Sequence, residues 1–120
     1  FGFWSLEKNI RAKYINRLYN ALIILLKRFH DDWVNDRIDK SRVMIVRYDR
    51  MMSDFETLMD DIFLFTNHEP SAALIDEIKN TAENQRSYKS KHKYDLSKFG
   101  LSEEKIKKDC KSIYETFLAE

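Results

Sequence analysis

One short run constrains this chain more than any other. Val43-Met44-Ile45-Val46-Arg47-Tyr48 is apolar, partly β-branched and bounded by charged residues, which is the pattern of a buried strand. No other segment of the 120 residues reads convincingly that way. A lone strand leaves its backbone N–H and C=O groups without ladder partners. The run therefore implies pairing with strands supplied from elsewhere, either a missing N-terminal half of the domain or a partner chain. The alternative is that it forms no strand.

The rest of the pattern is helical. Two glycines and one proline are too few turn residues for a sheet-rich domain. The fold class expected is mostly α, with about four helices and the one orphan strand. With 43% hydrophobic residues the chain can fill one modest core, so residues 1–120 read as a single domain. It opens on Phe1 rather than Met, as a processed, trimmed or partial protein does.

A first helix is expected from about Ser5 to Asp36, with Ser5 at its cap. Ile10, Tyr14, Leu18, Ala21, Leu22, Leu25, Leu26, Phe29 and Trp33 keep its spacing. Its middle is apolar on nearly every side, and such a helix expects cover all round. It is either the centre of a small bundle or a helix cut from a larger protein. A second helix follows Ser53 or Asp54 and stops near Thr66-Asn67-His68. Glu69-Pro70-Ser71 opens a third, which runs to about Asn84. Ser102-Glu103-Glu104 caps the last, whose apolar face is Ile106, Cys110, Ile113, Tyr114, Phe117 and Leu118. Between them, Gln85 to Gly100 is polar, basic and aromatic without a steady period, and reads as a long ordered loop.

Several chemistries are excluded or disfavoured. The formal net charge is +1, so no broad positive field points to nucleic acid. The run Ala21–Leu26 is too short to span a membrane. Cys110 is the one cysteine. It permits no intrachain disulfide, and a reducing compartment such as the cytoplasm is the default expectation. His30, His68 and His92 lack metal-ligand spacing, so no metal is expected. Asp31-Asp32 and Asp60-Asp61 are neighbours that diverge on a helix, and read as solvated faces. No glycine-rich phosphate loop is present.

The basic loop carries the functional signal. Arg86, Lys89, Lys91, His92, Lys93 and Lys98 alternate with Tyr88, Tyr94 and Phe99. Cations meet phosphates and aromatic faces stack on bases, so the composition suits a nucleotide. The plainer reading is a solvated positive loop.

Three stretches together resemble the C-terminal part of sulfotransferases that use 3′-phosphoadenylyl sulfate (PAPS). The first is Trp33 followed by Arg42–Phe55. There the family has a buried strand, a Tyr-Glu-Asp-like turn matched by Tyr48 and Asp49, and an Asp matched by Asp54. Phe55 stands where the family often has Pro. The second is Asp61–Thr66 with the helix leading to Asn84, where Asn67 replaces a usual glycine. The third, Tyr88–Glu104, is similar to a segment common in family members that act on sugars or small acceptors.

The resemblance covers roughly Trp33 to the end and implies a parent α/β fold, a parallel sheet flanked by helices. This chain would be the C-terminal part of that larger domain. It would supply one wall of the nucleotide site, with Thr81 and Asn84 near the adenine and Arg86, Lys89, Lys91 and Lys93 near the 3′-phosphate. PAPS would be the sulfuryl donor, 3′-phosphoadenosine 5′-phosphate (PAP) the product, and a small molecule or carbohydrate the acceptor, through a hydroxyl or amine. The loop that binds the phosphosulfate precedes the matched part in the family, so the chain alone is expected to be inactive. The alternative is a small helical interaction domain without catalysis, using Phe3, Trp4 and the long helix as its partner surface.

Overall fold

The computed structural model describes residues 2–119. It is mostly helical and divides into two compact units. The first joins the residues up to Lys40 to those from Lys93 onward, and the second is Ser41–His92. No described helix is long and apolar enough to cross a membrane.

In the second unit three helices, α2 (Tyr48–Ser53), α3 (Phe55–Thr66) and α4 (Ala72–Ser87), pack pairwise on one another. Leu58 on α3 and Ile78 and Ala82 on α4 are the buried core of this unit. Leu58 is 2% exposed, and burial of a leucine to that degree stabilises by about 1.5–3 kcal/mol. α3 ends at Asn67, whose backbone is left-handed (φ 52°). Asparagine tolerates that conformation better than most residues, so it can stand where a glycine is usual. The His68 N–H then closes on the Phe63 carbonyl at 2.9 Å. α4 is capped by Ser71, its hydroxyl accepting from the Leu74 N–H at 3.2 Å. Pro70 lies just outside the helix, before the cap.

In the first unit a 27-residue helix, α1 (Lys8–Val34), carries on one flank the short helices α5 (Glu103–Asp109) and α6 (Lys111–Ile113) and a π-turn over Tyr114–Leu118. Phe117 inserts beside Phe29 and Trp33, with ring centroids 5.4 Å from each. The Tyr19 hydroxyl donates to the Asp109 carboxylate at 2.7 Å, and Lys105 reaches the same carboxylate at 3.0 Å. His30 Nε2 lies 2.8 Å from the Thr116 hydroxyl. At the other end Trp4 leans on Phe99 at 5.5 Å, with the Lys98 ammonium 4.1 Å from the indole.

Several expectations need correction. No strand exists among the described residues. Val43–Val46 has neither helix nor ladder, and Ile45 and Val46 are each 42% exposed. The physical reason is the one that made the run informative: a ladder needs a second strand, and none exists among the described residues. α2 was not expected as a helix. Ser5 belongs to a short 3₁₀ turn, Phe3–Ser5, and α1 begins at Lys8 without a side-chain cap. Asp54 precedes α3 but gives its N-terminus no side-chain bond, because its carboxylate turns to Arg50. α4 runs three residues past Asn84. The last helix is broken at Cys110 instead of running unbroken to Leu118.

Candidate functional site

Between α2 and α4 the second unit opens a cavity of about 360 Å³, lined by Tyr48, Met51, Met52, Thr81, Asn84, Gln85 and Tyr88. Helical spacing explains the lining. Tyr48, Met51 and Met52 stand at i, i+3 and i+4 on α2, and Thr81, Asn84, Gln85 and Tyr88 repeat at i, i+3, i+4 and i+7 along α4 and its cap. No charged side chain lines it. Its size falls in the range of small-ligand sites, and its surface is aromatic rings, thioethers, a hydroxyl and two carboxamides.

The start of α2 is held electrostatically. The Asp49 carboxylate accepts from Arg47 at 2.9 Å and from the Arg50 backbone N–H at 2.8 Å. The Arg47 hydrogen bond first, and the Arg50 amide second, hold that carboxyl below its ordinary range. Arg50 in turn reaches Asp54 and Asp61, which ties α2 to α3. Tyr48 therefore sits on a fixed first turn. Asp49 itself faces the arginines and does not line the cavity.

Of the six residues singled out from the sequence, Thr81 and Asn84 line this cavity. Arg86 lies on another face of α4 and pairs with Glu56 of α3 at 3.2 Å. Lys89 and Lys91 follow α4 on exposed backbone and enter no ion pair among the described residues. Lys93 belongs to the first unit. Sequence reasoning missed Met51, Met52 and Gln85 as lining residues. The signal for the methionines was the i, i+3, i+4 spacing after Tyr48, hidden because a six-residue helix is too short to show a period.

Gln85 is unusual. Its Oε1 is buried and has no hydrogen-bond partner, and an orphaned buried acceptor costs about 1–3 kcal/mol. A second cavity in the unit, about 420 Å³, lies at the α3–α4 turn among Asp60, Phe63, Leu64, Asn67, His68, Glu69 and Pro70. It collects none of the residues that carry the sequence signal. No group of three His, Cys, Asp or Glu side chains that could hold a metal ion occurs among the described residues. No family model, curated protein or solved structure matches the chain.

Proposed function

We propose that this chain is the C-terminal part of a PAPS-dependent sulfotransferase and forms the adenine side of its nucleotide site. One observation carries the reading. Tyr48, from the Tyr-Asp turn, and Thr81 and Asn84, from the helix that follows, belong to separate stretches of the resemblance, yet they line one cavity. The lining fits a neutral planar ring: tyrosine faces and methionine sulfurs stack on bases, and the carboxamides and hydroxyl offer hydrogen bonds. Lys89 and Lys91 leave the same helix end with their ammonium groups exposed, where a phosphate beside the base would meet them.

The donor supplies the sulfuryl group, which passes in line to an acceptor hydroxyl or amine as the bond to the bridging phosphate oxygen breaks. Within that reaction these residues bind and orient. Tyr48, Thr81 and Asn84 hold the base, and Arg86, Lys89 and Lys91 are the candidates for the 3′-phosphate. Fixing the nucleotide contributes to rate through positioning. The sheet and the phosphosulfate loop are assigned to the remainder of the parent α/β domain.

The second reading, a helical interaction module, has its own support. The chain exposes 10012 Å², more than the roughly 8,300 Å² expected of two separate compact units of these sizes. Tyr14, Leu18, Leu22 and Leu25 of α1 are all at least half exposed. Calorimetric titration of PAP, with AMP as control, into the complete natural protein carrying these residues separates the two. Preference for PAP over AMP is the expected result. A complete protein that binds neither leaves the interaction module.

A further inference from the structure

We propose that Gln85 reads the edge of the nucleotide base, its carboxamide pairing with the adenine amino group and the adjoining ring nitrogen. The inference rests on the sulfotransferase reading and adds to it the residue that sets base specificity. Three observations converge on it. Gln85 holds the one buried side-chain polar atom without a partner among the described residues. Buried polar atoms without partners are rare in folded proteins and call for an explanation. Gln85 also stands one turn beyond Thr81 on the cavity face of α4, where it is more buried than its neighbours Asn84 and Tyr88. Tyr48, Asn84 and Tyr88 are the exposed lining residues, whereas Gln85, like Met51, Met52 and Thr81, is half-buried. Finally, no charged group competes for a ligand there.

The chemistry of the match is specific. A carboxamide presents one donor and one acceptor side by side, and the edge of adenine presents an acceptor and a donor at the same spacing. Either orientation of the amide offers that pair. Because the oxygen is buried, pairing with the base requires the outer torsions of Gln85 to turn, and the terminal one is soft. The base then supplies the hydrogen the oxygen lacks. In the free protein the Oε1 atom has no hydrogen-bond partner.

The test is a double-mutant cycle between the protein and the ligand. PAP and the corresponding purine bisphosphate without the 6-amino group are titrated into the complete protein and its Gln85→Met variant. The wild type is expected to favour PAP about tenfold, the lower range for one bidentate base contact. In Gln85→Met the preference should fall to within about twofold. Gln85→Glu, which keeps the acceptor and loses the donor, should lie between them. Without ligand, Gln85→Met should leave the melting temperature unchanged or raised, since it deletes an orphan. A preference undiminished in Gln85→Met overturns the inference and leaves the nucleotide site standing. So does a lowered melting temperature, which would make the amide structural. A wild type that binds neither ligand overturns the sulfotransferase reading and this inference with it.

Discussion

The two units reach order by different means. The second holds three of the four buried residues among those described, Leu58, Ile78 and Ala82, where short helices close on each other. The first holds one, Cys110, under a helix more than twice as long as α3. Its α1 is clamped by an aromatic trio and a tyrosine–aspartate–lysine latch along one flank, while Leu18 and Leu25 stand 63% and 62% exposed on another. A helix apolar on nearly every side receives cover here on one side only. The comparison teaches where the chain is self-sufficient. The second unit makes its own core and, at its edge, a ligand-sized cavity. The first has more apolar surface than its own residues cover.

Core truncation gives the largest effect with which to break this contrast. Leu58→Ala should destabilise the chain by about 2–4 kcal/mol, the range for a leucine deleted from a packed core. Leu18→Ala, on the open stripe of α1, should fall within about 0.5 kcal/mol of wild type. Urea unfolding of both variants measures it. Similar losses would show that Leu18 is covered in solution, by a second copy or another partner, and the contrast would fail.

The latch of the first unit sharpens the comparison through pH. Partial burial, followed by the hydrogen bond to Asp109, pushes the Tyr19 phenol from its ordinary value of 10 up to about 12. The folded state therefore favours the protonated phenol. Its contribution is complete below pH 10 and is lost between about pH 10 and 12. The Tyr19 hydrogen bond, and then Lys105, hold Asp109 below its ordinary value. That contribution is present above the ordinary carboxylate range and is lost as the pH falls through it. In an ultraviolet titration a tyrosine step should appear near pH 12, and Tyr19→Phe should remove that step. Absence of that step from the wild type would mean the latch does not hold in solution.

What the sequence made legible follows the same division. α3, α4 and the start of α5 could be read because apolar period and punctuation agree, with Asn67 closing one helix and Ser71 and Ser102 opening two others. Ser5 misled because a serine before a helix is only a candidate cap; its hydroxyl turns back to the Gly2 carbonyl. α2 was hidden because six residues are too few to show a period. The run at 43–48 has strand character in its side chains, but backbone pairing is not a local property. Thr81 and Asn84 were singled out through resemblance, and their place beside Tyr48 emerges only when α2 folds against α4. Gln85 gave no signal, since a glutamine at the end of a polar helix is normally a solvated one.

The smallest effect concerns the reverse face of α4. Arg86 and Glu56 pair at 3.2 Å with both side chains about half exposed, and such pairs contribute under about 1 kcal/mol, less at high salt. Glu56→Gln should therefore lower the stability of the second unit only slightly. Its effect on ligand binding tells more. If Arg86 is to meet the 3′-phosphate it must leave Glu56, so the pair competes with the nucleotide. Neutralising Glu56 frees the guanidinium and removes a nearby negative charge, so PAP affinity of the complete protein should rise, by roughly two- to fivefold for a contact of this strength. AMP, without the 3′-phosphate, should gain less. An unchanged PAP affinity would make Arg86 a staple between α3 and α4, and the phosphate side of the site would then rest on the lysines alone.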